Sequence, residues 1–203
     1  MSGIIRMVAA GVLLLVAGCT TMNTQDTSES KYPQLESVRT QALRGDPNDQ
    51  FILAGMYERG QGAPQSYAEA AKWYHMAAEQ GHAAAQFYLG AMYGSERGVP
   101  RDYAAAVKWY SKSAAQGYRD ALYPMAYVNE YGIGGAAIDF NAAVQWYLKS
   151  AQAGVWQAMD RLGKAYQNGE LGLTPDADKA KDWFMQGAAM RGNQRTYSAP
   201  ISH

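Results

Sequence analysis

Few side chains in this 203-residue sequence could do chemistry, and their spacing decides what that chemistry would be. There is one thiol, Cys19, so an internal disulfide is excluded. Three imidazoles occur, at His75, His82 and His203. His75 and His82 fit neither HExxH nor any other metal-ligand spacing. Ser28-Glu-Ser-Lys31 spells the S-x-x-K of serine acyl-enzymes, but it lies in polar sequence without the accompanying motifs. Gly132-Ile-Gly134-Gly135 has no preceding strand and no following Lys-Ser/Thr, so it is not a phosphate loop. No G-x-S-x-G elbow occurs. Without convergent reactive groups, the expectation is a protein that is not an enzyme, with no catalytic residue, no metal and no cofactor. Lys+Arg and Asp+Glu are 18 each, which excludes steering onto nucleic acid by bulk charge. Apolar residues make up 48% of the chain, enough to exclude an acidic disordered tail and to build a core.

The thiol has its own context. Arg6 precedes the apolar run Met7 to Val16, which at ten residues is too short to cross a bilayer of about 30 Å as a helix. Val16-Ala17-Gly18-Cys19 then resembles the lipobox of bacterial lipoproteins. That resemblance implies a signal peptide over residues 1–18, cleavage before Cys19, and a lipid on the Cys19 thiol. Lipidation also removes a free thiol from an oxidising compartment. Each buried CH₂ contributes about 0.8 kcal/mol, so several acyl chains give a stable anchor. Thr20 stands where inner-membrane lipoproteins carry Asp, which implies the outer membrane, with the domain facing the periplasm. Residues 19–32 are polar and read as a flexible tether.

Beyond the tether the sequence is periodic. Trp73, Trp109, Trp146 and Trp183 are spaced 36, 37 and 37 apart. Ala54, Gly90, Ala126 and Gly163 keep the same period, as do Gly81, Gly117 and Gly154. A fixed period of this size means stacked supersecondary units. Each unit reads as two helices. In the first, Leu89 and Tyr93 share a face, and Gly90 beside them leaves room for a neighbouring helix. The second opens on a capping residue, Ser66, Asp102, Asp139 or Asp176, and presents a stripe such as Ala70, Trp73, Ala77 and Ala78. One tryptophan per repeat at one helical position reads as core rather than as a ligand stack.

Leu89-Gly-x-x-Tyr93, Gly98-Val-Pro-x-Asp102, Ala106-x-x-Trp109-Tyr110 and Ala114-Ala-Gln-Gly117 together resemble the Sel-one-like repeat, a short α/α repeat related to tetratricopeptide repeats. The resemblance spans residues 48–193, in repeats of about 48–83, 84–119, 120–156 and 157–193. It implies an all-α fold, an α/α solenoid coiled as a right-handed superhelix. Residues 33–47, with Leu35, Val38, Ala42 and Leu43 apolar, read as a helix capping the N-terminal end of the stack. Residues 194–203 read as a polar tail after a last helix that closes near Gly192. The third repeat departs most, with Asn129 in the tyrosine column and Pro124 placed in the first turn of its first helix, where proline is tolerated.

The resemblance further implies that the first helices line a hollow face. One inward column holds Phe51, Phe87, Tyr123 and Asp160; the next holds Gly55, Ala91, Tyr127 and Lys164; the last holds Arg59, Ser95, Tyr131 and Asn168. Tyr123, Tyr127 and Tyr131 form an i, i+4, i+8 stripe, and tyrosine is enriched in binding hot spots. Glu130, Asp160, Lys164 and Arg59 would give the stripe a charged rim. The competing reading is that the tyrosines fill space left by Asn129 and Ala126. The expected function is an interaction scaffold for another protein. A narrower form is an immunity protein that neutralises a phospholipase-type toxin effector. The alternative is an envelope accessory module binding peptidoglycan or polysaccharide.

Overall fold

The computed structural model describes residue 32 and residues 34–197, with side chains as far as Gly192. The expected signal peptide, Cys19, the expected tether up to residue 31 and the last six residues of the expected tail lie outside the described residues. Nine α-helices and one 3-10 turn, Ile133–Gly135, make up the ordered elements described, and no strand occurs among them. They are α1 (Leu35–Leu43), α2 (Pro47–Arg59), α3 (Tyr67–Glu79), α4 (Ala83–Ser95) and α5 (Tyr103–Ala115), followed by α6 (Arg119–Tyr131), α7 (Phe140–Gln152), α8 (Trp156–Asn168) and α9 (Ala177–Tyr197). Pairs α2–α3, α4–α5, α6–α7 and α8–α9 are hairpins, and each hairpin packs onto the next through its second helix. The all-α solenoid expected from the period is the fold observed.

The helix starts follow from the capping residues. Ser66, Asp102 and Asp139 accept the backbone N–H three residues on at 3.3, 2.9 and 2.9 Å, and Asp176 does the same from Lys179 at 2.9 Å. Each cap satisfies an N–H that has no partner inside its helix. The N–H groups of the same four residues donate to the carbonyls of Tyr57, Tyr93, Asn129 and Tyr166. That bond closes every hairpin through backbone alone, which is why Asn129 can stand in a tyrosine column. The intervening loop then folds back on its neighbour. Gly98 has φ +73°, and a Cβ there would lie 2.1 Å from the carbonyl oxygen of Tyr67. Gly134 repeats this contact against Tyr103. Only glycine supplies both the backbone angle and the clearance.

The capping helix is in register with the repeats. Gln86 is buried and donates its side-chain amide to the Ala78 carbonyl of the preceding helix at 3.0 Å. Gln50, also buried, donates to the Ala42 carbonyl of α1 at 3.3 Å. Helix α1 therefore stands where the second helix of an earlier repeat would be. Buried amides need such partners, and Gln80 and Gln116 complete the pairs by bonding Gln50 and Gln86 at 2.8 Å each.

The core is a chain of three buried clusters. Leu53, Trp73, Tyr74 and Leu89 lie in the first; Leu122 and Met125 in a middle one; Tyr147, Met159 and Leu162 in the last. Half-buried aromatics join them. Phe87 packs on the middle cluster and on Tyr88 of the first, and Trp146 packs on the middle and last. The small-residue column acts as the period predicts. A Cβ on Gly90 would sit 3.0 Å from the Tyr110 ring, and one on Gly163 would sit 2.7 Å from Phe184.

Two expectations need correction. Pro124 is the sixth residue of α6 and lies inside it, not in its first turn. The Asp120 carbonyl therefore receives no i+4 bond from that residue. The last helix does not close at Gly192 but runs on to Tyr197. Gly81, Gly117 and Gly154 all take positive φ where the chain turns into another helix, and Gly192 does not.

Candidate functional site

The tyrosine stripe divides in two. Tyr123 is half-buried, with its ring edge-on to Tyr147 at 5.5 Å. Its column-mates are packed as well. Phe51 contacts Tyr74, His82 and Tyr88, and Phe87 contacts Tyr88, Tyr110 and Tyr118. Tyr127 and Tyr131 instead remain 46% and 51% exposed, with their ring centroids 4.4 Å apart. Ala126, beside Tyr127 in sequence, is fully buried. The Asn129 amide donates to the Met125 carbonyl of its own helix at 2.7 Å.

The four charges expected at the rim also separate. Arg59 and Lys164 are exposed. The Arg59 guanidinium lies across Gly55 and donates to Gln61 at 3.1 Å. Asp160 is part-buried and paired with Arg191, whose guanidinium covers the Trp156 ring at 4.2 Å. Asp160 thereby ties α8 to α9. Glu130 is not on a rim: it is 6% exposed. Its carboxylate accepts the Tyr147 hydroxyl at 2.6 Å and two Arg161 nitrogens, the nearer at 2.6 Å. Arg161 also donates to Glu170 at 2.6 Å. Burial would raise the Glu130 pKa. Hydrogen bonds from Arg161, Tyr147 and Tyr131 outweigh it, so the carboxyl sits below its ordinary value. Flanking helices thus supply the donors that let a carboxylate sit in the core.

A register runs through these contacts. Glu58, Gly94, Glu130 and Gln167 occupy one position of the first helices, and Tyr74, Tyr110, Tyr147 and Phe184 the facing position of the second. In the first repeat the Tyr74 hydroxyl donates to Glu58 at 2.7 Å, as Tyr147 does to Glu130 in the third. The next repeat then covers each pair. Tyr88 stacks on Tyr74 at 5.3 Å, and Arg161 clamps Glu130. In the second repeat both devices are missing. Gly94 brings no carboxylate, and Pro124 stands where the others place Tyr88 and Arg161.

The result is an open groove of about 770 Å³ between α4 and α6, floored by α5. Ala91 and Gly94 line one wall, Pro124 and Tyr127 the other, and Val107 and Tyr110 the floor. Arg97 stands at its edge, over the Tyr67 ring at 5.6 Å. Burial pushes the Tyr110 hydroxyl up to about 12, so it keeps its proton at neutral pH. The corresponding groove between α2 and α4, about 510 Å³, is polar and bounded by Glu58, Arg59 and Gln65. A third depression of about 430 Å³ lies at the C-terminal end of the stack, around Gln167 and Phe184.

Sequence reading found Tyr123 and Tyr127 but missed Gly94, Tyr110, Pro124 and Arg97. The signal was available in the Glu58–Gly94–Glu130 column, where one member lacks a side chain. Among the described residues no group of three or more His, Cys, Asp or Glu could hold a metal ion. His82 is structural: its Nδ1 accepts the Ala85 N–H at 3.1 Å, capping α4, while its ring stacks on Phe51.

The Sel1 repeat family model matches residues 47–82, 83–118, 119–155 and 156–191. Among solved structures, a protective antigen of uropathogenic Escherichia coli with an SLR fold is 35% identical, with a TM-score of 0.71. The match covers 76% of this chain and 33% of that one. A Sel1 repeat protein from Oxalobacter formigenes is 34% identical, with a TM-score of 0.72, over 79% of this chain and 63% of that one. MamA, at 17% identity and a TM-score of 0.50 over 83% of this chain and 95% of that one, shares the fold alone. The chain thus spans a third of the first relative and under two thirds of the second. No curated protein matches it.

Proposed function

Because the chain belongs to the Sel1 repeat family, a family of non-catalytic protein-interaction modules, we propose that the face formed by α2, α4, α6 and α8 captures one protein partner at the outer membrane. Tyr127 and Tyr131 carry this reading. Two adjacent exposed tyrosines beside an apolar groove offer large, rigid contact area and hydroxyl donors. The lipobox at Cys19 supports the location: its lipid would hold the domain at the outer membrane, facing the periplasm. No described helix is long and apolar enough to cross a membrane. In the narrower form, the partner is a secreted phospholipase-type effector and the chain is its immunity protein. Tight binding without turnover is all that role requires.

Pull-down from detergent-solubilised envelope tests the reading. The full chain should retain a discrete protein, and the Tyr127→Ala/Tyr131→Ala double variant should lose it at least about tenfold, since two hot-spot tyrosines are worth over 1.4 kcal/mol. The Tyr127→Ala single variant should melt close to wild type, because its ring is exposed, whereas Tyr131→Ala also removes a hydrogen bond to the buried Glu130 and should melt lower. Cys19→Ser should leave the chain in the soluble fraction and unlabelled by palmitate. Retention of peptidoglycan fragments or polysaccharide in place of a protein would overturn the reading in favour of an envelope accessory module.

A further inference from the structure

The groove between α4 and α6 is a vacancy in a repeating device. The first and third repeats each place a glutamate against the tyrosine of the following helix, and the next repeat seals it. In the second repeat the tyrosine is kept and the glutamate is not. The Tyr110 hydroxyl has no hydrogen-bond partner among the described residues, and the side chain is half-buried against the groove. Arg97, at the groove edge, has no carboxylate partner among the described residues, whereas the neighbouring Arg101 pairs with Glu96 at 3.2 Å. A proton donor therefore lines an apolar slot whose register holds a glutamate in the first and third repeats, and a cation stands at the boundary between this slot and the polar groove beside α2.

We infer that this slot receives a glutamate side chain from an internal segment of the partner polypeptide, its carboxylate on Tyr110 and Arg97 and its apolar neighbours on Val107, Pro124 and Tyr127. Charge complementarity selects the occupant: in the flanking registers the tyrosine hydroxyl donates to a carboxylate, and Arg97 supplies positive charge at the groove edge. The inference rests on the reading that this face takes a protein partner, and it specifies the chemistry at the centre of that contact.

Gly94 makes the test internal to the chain. A Cβ there meets nothing within 4 Å, and the backbone is ordinary helix, so larger residues fit. Gly94→Glu should place the missing carboxylate on Tyr110 from within. Gly94→Ala raises helix propensity without filling the slot. Both variants should melt above wild type, Gly94→Glu the higher. The probe is the acetylated, amidated pentapeptide Ala-Leu-Glu-Leu-Ala, with Gln in place of Glu as control, titrated into the full chain carrying ¹³C-labelled tyrosine. The Glu peptide should shift the Tyr110 and Tyr127 signals at millimolar concentration, at least about threefold more tightly than the Gln peptide, as expected for a charge-assisted bond. Gly94→Ala should keep this response, and Gly94→Glu should abolish it. Equal binding of the two peptides, no shift at about 10 mM, or a response that survives in Gly94→Glu would overturn the inference. So would preference for a peptide whose only carboxylate is its C-terminus. If Gly94→Glu still captures the envelope partner at full yield, the slot is refuted while the reading of the whole face stands.

Discussion

Trp73 shows how much one residue carries in each repeat. Its indole is 3% exposed among Ala70, Ala77 and Tyr74, yet its Nε1 has no hydrogen-bond partner among the described residues. Packing therefore stabilises the site, and the unpaired N–H weakens it. Trp73→Ala should cost about 3–5 kcal/mol in urea unfolding. Trp73→Phe should cost less than half of that, because losing the buried unpaired donor offsets part of the lost volume. Equal costs would mean that the indole N–H has a partner in solution. The tryptophan column was legible in the sequence because it recurs with the period, although only Trp73 and Trp109 are buried while Trp146 and Trp183 are half-buried against the last cluster. Glu130 was not. A lone glutamate on a helix looks like a solvated face, and only its register with Tyr147 and Arg161 reveals a buried carboxylate.

At the scale of elements, the hairpins were legible because local chemistry sets their ends: a capping oxygen at Ser66, Asp102, Asp139 and Asp176 and a glycine where loops approach helices. Pro124 and Gly192 were misplaced because neighbours decide their conformation. Proline is accommodated inside α6, and α9 continues as helix through Gly192. Between elements, Glu130 holds α6 to α7 through Tyr147 and to α8 of the next repeat through Arg161. Glu130→Ala should cost about 3 kcal/mol at pH 7, since Arg161 keeps Glu170 as a partner. The depressed pKa of Glu130 fixes the sign of the pH effect. Its stabilisation is complete above the unfolded value, about 4.3, and is lost as pH falls through the lower folded value. The gap between wild type and Glu130→Ala should therefore close below about pH 4.3. Hydrogen exchange should quicken in α6, α7 and α8 while α2 and α3 stay protected. Uniform loss across all helices would show the stack to be one cooperative unit instead.

For the whole molecule, four hairpins and a capping helix share one spine, and the first-helix face is what differs along it. Between the first and second repeats the groove is polar, between the third and fourth Arg161 reaches from α8 to Glu130 of α6, and between the second and third the groove is open and apolar. An interaction scaffold needs such local variation on a rigid repeat, because uniform packing would leave no preferred place to bind. Site-specific photo-crosslinking in the producing cell tests this most directly. A benzophenone amino acid at position 127 should yield one discrete protein adduct, and the same probe at exposed Met76 on α3 should yield none. Equal adducts at both positions, or none at 127 with the chain folded and anchored, would contradict the claim that this face holds a protein partner.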